Sequence, residues 1–127
     1  MVEAPEPAAD QVPLHSEWTG KYVCGQGSTG LRLTIESHPS GEAIATFEFG
    51  PIPENPTVPV GAYQLKGRLR MTPDGGLEAR FVPDQWLNQP SGYMMVGLTV
   101  VSDRARRVLR GTIDDPNCAG VEVRRRS

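Results

Sequence analysis

The sequence predicts an all-β protein, most simply an eight-stranded antiparallel up-and-down barrel. Apolar and polar side chains alternate with a period of two in eight short segments, which glycine- and proline-rich turns separate. No segment shows the period of an amphipathic helix. Glycines at inward positions of several segments fit strongly bent strands, and closing eight strands into a barrel removes exposed edges. A two-sheet β-sandwich remains the alternative.

Composition limits the organisation of the chain. Its 127 residues suit one domain, with 14 glycines and 12 prolines that favour many turns. The proline- and alanine-rich residues 1–16 predict a disordered leader or linker, and residues 17–127 predict a single β-barrel domain. No apolar run is long enough for a membrane helix. A net charge of −2 does not favour nucleic acid as a partner.

The first four strands follow from the inward apolar positions. Two of them form an opening hairpin. Residues 50–60, before the fourth strand, are rich in proline, which has no amide hydrogen to donate to a neighbouring strand, and so they form a loop. The inward residues are Trp18, Gly20, Tyr22 and Cys24; then Leu31, Leu33 and Ile35; then Ala43, Ala45, Phe47 and Phe49; then Tyr63, Leu65, Gly67, Leu69 and Met71.

Among the last four strands, the sixth is more apolar than its neighbours. Residues 72–76 have the composition of a tight turn, residues 83–92 form a second long loop, and residues 93–101 form the sixth strand. The inward residues of the remaining strands are Leu77, Ala79 and Phe81; then Leu109, Gly111 and Ile113; then Val121 and Val123. Gly97 is expected inward on the sixth strand.

The two cysteines support closure of the barrel. Cys24 ends the first strand and Cys118 begins the eighth, and these ends are adjacent in a closed antiparallel barrel. A disulfide between them predicts a secreted or periplasmic protein, whereas two free thiols would indicate a cytoplasmic one. His15 and His38 are not spaced to complete a metal site, so we expect no metal.

A set of motifs is spread along the chain, carried by Trp18, Gly20, Tyr22, Cys24, Gln26, Gly27, Phe47, Phe49, Asn55, Pro56, Gly61, Tyr63, Trp86, Gln89, Pro90, Gly92, Tyr93 and Cys118. These motifs resemble a poorly characterised family of bacterial accessory domains that occur beside caspase-like or trypsin-like peptidase modules. The resemblance covers residues 18–125 and implies association with such a module, but it carries no known ligand or catalytic residue. The opening Trp-x-Gly-x-Tyr is also similar to that of calycin-type barrels such as lipocalins, avidins and bacterial metalloprotease inhibitors.

The predicted topology places both long loops at one mouth of the barrel, because alternate connections of an up-and-down barrel lie at the same end. These loops are rich in aromatic and amide side chains, which suit glycan or peptide recognition. Alternatively, the aromatic rings cap the core and the amides bond the backbone of the proline-rich loops. The candidate ligand-binding residues are Gln26, Asn55, Gln85, Trp86, Asn88, Gln89 and Tyr93.

The sequence favours a non-catalytic recognition or accessory module that binds a glycan, a peptide or a partner protein. It contains no nucleophile, zinc-protease or phosphate-binding motif, and no cofactor is expected. Asp84, Asp114 and Asp115 could act as paired carboxylates, but turn chemistry explains them more simply. The alternatives are a barrel-type protease inhibitor whose leader enters an active site, and a structural or oligomerisation domain without a ligand.

Overall fold

The computed structural model describes residues 12–126 as a closed barrel of eight antiparallel strands. Each strand pairs with its neighbours in the sequence, and the first pairs with the last, so the predicted up-and-down barrel is confirmed. No helix occurs in this range, and so none that could cross a membrane. The strands are β1 (His15–Cys24), β2 (Gly27–Ser37), β3 (Glu42–Gly50), β4 (Gly61–Met71), β5 (Leu77–Asn88), β6 (Leu98–Val101), β7 (Val108–Ile113) and β8 (Gly120–Arg125).

The core lies inside the barrel and follows the alternation of the sequence. In β4, for example, Tyr63, Leu65 and Leu69 are buried while Lys66 and Arg68 are exposed. Trp18 is fully buried and donates from Nε1 to Ser16 Oγ at 2.9 Å, and the Arg125 guanidinium lies over its ring. Each inward side chain is removed from water by the opposite wall, which is the main source of stability in such a fold.

Glycine allows unusually close contact between neighbouring strands at three inward positions. A Cβ atom added to Gly20, Gly67 or Gly111 would lie 2.1, 1.9 or 1.8 Å from a backbone carbonyl oxygen of the adjacent strand. No side chain fits there, so the sheet can bend sharply only because these residues lack one. Gly97, by contrast, precedes β6 rather than lying within it.

The first strand is longer than the sequence indicated. Strand β1 begins at His15, so two residues assigned to the leader pair with β2. The Leu14 carbonyl oxygen also accepts from the Ser37 amide, and Val12 packs against the core. The remainder of the predicted leader, residues 1–11, lies outside the described residues.

Strand β5 extends through most of the predicted second loop, and β6 is correspondingly shorter. Two register shifts between β4 and β5 leave Asp84 and Leu87 without partners, and the strand reaches Asn88. Strand β6 pairs with β5 only as far as Phe81. Pro83, which has no amide hydrogen, therefore needs no hydrogen-bond partner on the β6 side. The long loop therefore comprises residues 89–97, which cover the gap between β5 and β6.

The connections confirm which end of the barrel carries the long loops. Residues 25–26, 51–60, 89–97 and 114–119 connect strands at one end, which we call the mouth. The short connections at residues 38–41, 72–76 and 102–107 lie at the opposite, closed end. At the mouth, the predicted disulfide between Cys24 and Cys118 links the end of β1 to the loop before β8. The chain is thus covalently joined across the seam where the barrel closes.

Candidate functional site

The mouth contains a cavity of about 490 Å³ that opens to solvent. Its floor is aromatic, its sides are loops, and the disulfide forms part of one wall. Volumes of this order are typical of sites for small molecules or single side chains. The lining residues are Tyr22, Cys24, Gly25, Gln26, Phe49, Tyr63, Gly92, Tyr93, Met94, Val96, Asp115, Asn117 and Cys118.

Tyr63 attaches the long loop to the barrel. Its hydroxyl group donates to the Val96 carbonyl oxygen at 2.9 Å and accepts from the Val96 amide at 3.0 Å. Burial disfavours the tyrosinate and raises the pKa of Tyr63 above its ordinary value. Both backbone groups of Val96 are thereby satisfied by one side chain, which fixes the loop over the cavity.

A second tyrosine orients the amide at the rim. Gln26 Nε2 donates to the Tyr22 hydroxyl at 3.3 Å and to Thr29 Oγ1 at 3.0 Å. The Thr29 hydroxyl donates in turn to the Gly27 carbonyl oxygen, so its own oxygen must accept from Gln26. Burial also raises the pKa of Tyr22, which stays neutral at physiological pH. This chain of bonds fixes which end of the Gln26 amide faces the barrel interior.

Stacked aromatic rings form the floor. Tyr93 lies parallel to Phe49 with ring centres 5.4 Å apart, and Phe47 stacks on Tyr63 at 4.7 Å. Tyr22 meets Phe47 edge-on at 5.1 Å. Such contacts contribute beyond simple burial and hold each ring in one orientation. The aromatic floor is therefore a rigid surface.

The loop between β7 and β8 supplies the polar side of the cavity. Asp115 Oδ1 accepts from the Asn117 amide at 2.8 Å, which shapes this turn. The Ala119 amide donates to the Val23 carbonyl oxygen, and the disulfide at Cys118 anchors the same segment to β1. A carboxylate is thus held at the cavity by a short, covalently anchored turn.

The structure brings only two of the seven predicted ligand-binding residues, Gln26 and Tyr93, into the cavity lining. Asn55 lies nearby, where its side-chain amide donates to the carbonyl oxygens of Gln26 and Ser28 at 2.8 and 2.9 Å. It ties the proline-rich loop to the first turn. This role agrees with the alternative that amides satisfy loop backbone groups.

The other predicted residues lie beside the cavity rather than in it. Trp86 is half-buried on β5, with its ring edge-on to Tyr63 at 5.1 Å. Asn88 donates to the Val60 carbonyl oxygen at 3.3 Å, and Gln89 to that of Tyr93 at 3.1 Å. Gln85 is exposed and donates to the Gln64 side chain at 2.9 Å. Gln85, Trp86 and Asn88 were predicted to lie on a loop. This prediction was wrong, because β5 continues through them.

Sequence reasoning missed most of the cavity lining. Tyr22, Phe49 and Tyr63 were predicted inward but were assigned to the core, and their positions at the mouth ends of strands were the available signal. Met94 and Asn117 carried no signal, because their directions depend on irregular loops. No group of three histidine, cysteine, aspartate or glutamate side chains that could hold a metal occurs within residues 12–126. No family model matches the chain, and no curated protein matches it significantly.

Proposed function

We propose that the protein is a non-catalytic recognition or accessory module that binds a glycan, a peptide or a segment of a partner protein at the mouth of its barrel. The cavity lined by Gln26, Tyr93 and the aromatic floor is the observation that carries this proposal. By its sequence resemblance, the module would act beside a peptidase-like unit. The disulfide is compatible with an oxidising compartment, and we propose a secreted or periplasmic location.

Preorganisation of the mouth supports binding. Three contacts hold its loops before any ligand arrives: the disulfide, the pair of bonds between Tyr63 and Val96, and the two bonds from Asn55. A site that is already ordered loses less conformational entropy when it binds, and so binds more tightly for the same contacts. A barrel that served only as a spacer would not need its long loops fixed around an open cavity.

The test uses a variant that fills the cavity without straining the fold. A Cβ atom added to Gly25 meets nothing within 4 Å, so Gly25→Leu should fold normally while projecting into the mouth. Gln85→Ala, on the outer face of β5, is the matched control. Glycan and peptide panels are screened by NMR with the ¹⁵N-labelled protein. We expect hits to shift mouth resonances, to be lost in Gly25→Leu and to be kept in Gln85→Ala.

Two results would contradict this proposal. If no panel member shifts mouth resonances at millimolar concentration, a structural or oligomerisation role becomes the better explanation. If instead the protein inhibits a peptidase and loses that activity when residues 1–11 are removed, it is an inhibitor that acts through its leader. Neither alternative requires a ligand in the cavity.

A further inference from the structure

We propose that the group entering the cavity is cationic, namely a primary ammonium on an alkyl chain, as the side chain of a lysine in a peptide presents it. This inference rests on the proposed binding function and selects one ligand class for it. Four features of the mouth carry it: its charge, its aromatic floor, its hydrogen-bond acceptors and its apolar rim.

The charge of the mouth is negative. Asp115 lines the cavity, and among the residues that the structure describes no lysine, arginine or histidine does. Asp114 lies in the same turn, whereas Glu54 on the neighbouring loop is paired with Lys21 and so adds no net charge. Arginines gather instead around the closed end, at Arg104, Arg106, Arg107 and Arg126. A carboxylate or phosphate would therefore be repelled at the mouth, whereas a cation would be attracted.

The aromatic floor suits a cation better than it suits a neutral polar group. Four rings, those of Tyr22, Phe49, Tyr63 and Tyr93, line the cavity. The negative face of an aromatic ring attracts a cation within about 6 Å of its centre. The alkyl stem of the same ligand would pack on the rings, so one side chain could use both properties.

Two polar side chains of the lining offer acceptor atoms to a ligand. Because Gln26 Nε2 is committed to Tyr22 and Thr29, its Oε1 atom is the part of the amide left for the cavity. The Asp115 carboxylate adds further acceptor sites, since the Asn117 amide occupies only Oδ1. An ammonium group carries three donors and no acceptor, and so matches this set.

The rim of the mouth favours a peptide over a glycan. Val60, Leu87 and Met94 are 65%, 54% and 76% exposed, and all three lie at the mouth end of the barrel. The Asn88 side chain donates to the Val60 carbonyl oxygen, which places the loop residue Val60 beside the mouth end of β5, where Leu87 lies. Exposed apolar groups around a polar site are typical of protein contacts, because they gain from burial by apolar neighbours. A lysine flanked by apolar residues fits both the rim and the cavity.

The first experiment compares three small probes of equal length: n-butylammonium chloride, 1-butanol and sodium butyrate. Each is titrated into the ¹⁵N-labelled oxidised protein at matched ionic strength, and dissociation constants are taken from shifts of Gly25, Gln26 and Asn117 resonances. We expect n-butylammonium to bind most tightly and butyrate most weakly. Equal binding of the ammonium and the alcohol would overturn the proposal.

Asp115→Asn and Asp114→Asn form a matched pair of variants. Asparagine at position 115 can still accept from the Asn117 amide, and position 114 lies outside the cavity lining. We expect Asp115→Asn to weaken n-butylammonium about three- to fivefold, the range of a partly exposed ion pair, and to leave 1-butanol unchanged. Asp114→Asn should change neither by as much as twofold. Equal effects of the two variants would show only a diffuse surface charge and would refute a specific ammonium site.

Peptides complete the test and separate it from the underlying proposal. Acetyl-Leu-Lys-Leu-amide should bind more tightly than the same peptide with norleucine in place of lysine, and Gly25→Leu should abolish the difference. If glycans or neutral peptides shift the mouth resonances and the lysine peptide has no advantage, the cation preference is refuted while the binding function stands. If no probe binds, both fail.

Discussion

The disulfide offers the most direct measurement of how the barrel is held closed. Cys24 and Cys118 are 94 residues apart, so the bond closes a loop that includes most of the barrel. On the chain-entropy model, a loop of this length destabilises the unfolded state by about 4.7 kcal/mol relative to the reduced chain. Removing the bond should therefore lower the free energy of unfolding by a large part of that amount.

Replacing both cysteines, in Cys24→Ser/Cys118→Ser, avoids leaving a reactive thiol. The pairing between β1 and β8, which runs from Trp18 opposite Arg125 to Val23 opposite Gly120, remains in this variant. We therefore expect it to fold and to unfold cooperatively in urea. Its free energy of unfolding should be about 3–5 kcal/mol lower than that of the oxidised protein. Fully reduced wild-type protein should behave in the same way, and reductant should not affect the variant.

Two results would refute this reasoning. Alkylation without reductant, followed by mass spectrometry, should modify neither cysteine of the native protein, and two modified thiols would show that the bond is absent. The second result is a bond that is present while the double variant has a free energy of unfolding within about 1 kcal/mol of that of the oxidised protein. In that case the bond does not stabilise the protein by restricting the unfolded chain. The seam would then be stable through its hydrogen bonds and core contacts alone.

Three further predictions address the barrel wall, the mouth and the buried tyrosines. Gly67→Ala should cost about 1–3 kcal/mol in urea unfolding or prevent folding, because its Cβ would overlap a carbonyl oxygen, whereas Gly25→Ala should change stability by less than about 0.5 kcal/mol. Trp86→Ala should lower stability by about 2 kcal/mol, less than the ~3–5 kcal/mol of a fully buried ring, and no loss of stability would contradict its packing role. Tyr22 and Tyr63 have raised pKa values when folded, so the unfolded chain loses these protons first. Stability should then fall above about pH 10 by up to ~1.4 kcal/mol per pH unit for each tyrosine, and each Phe variant should show a shallower slope.

The barrel could be predicted from sequence because its rules are local and strict. Side chains alternate across a strand, so a run such as that around Leu65 fixes which positions face inward. Eight such runs with short connections close most simply on themselves. Cys24 at the end of β1 and Cys118 just before β8 are then neighbours, so the disulfide follows from adjacency. The glycines at inward positions gave the same answer independently, since residue 67 tolerates no side chain.

The candidate site was harder to predict because its lining depends on the paths of irregular loops. Pro83 was interpreted as the end of a strand, yet it lies where β5 pairs on one side only and no amide is needed. That single difference moved Trp86 from the loop to a strand. Likewise, the direction of Met94 follows a loop whose Gly92 has a φ of 82°, a conformation that no period in the sequence reveals.

Two tyrosines at the mouth end of the core, Tyr22 and Tyr63, carry hydroxyl groups that packing of the fold does not require. The barrel fills similar positions with Phe47 and Phe49, so packing alone does not require a hydroxyl group at Tyr22 or Tyr63. A buried hydroxyl without a partner would cost stability, and each of these has one. Tyr63 bonds the loop backbone and Tyr22 bonds the amide of Gln26. Both hydroxyl groups therefore act on the mouth, which is the part of the molecule whose geometry a binding function would need to preserve.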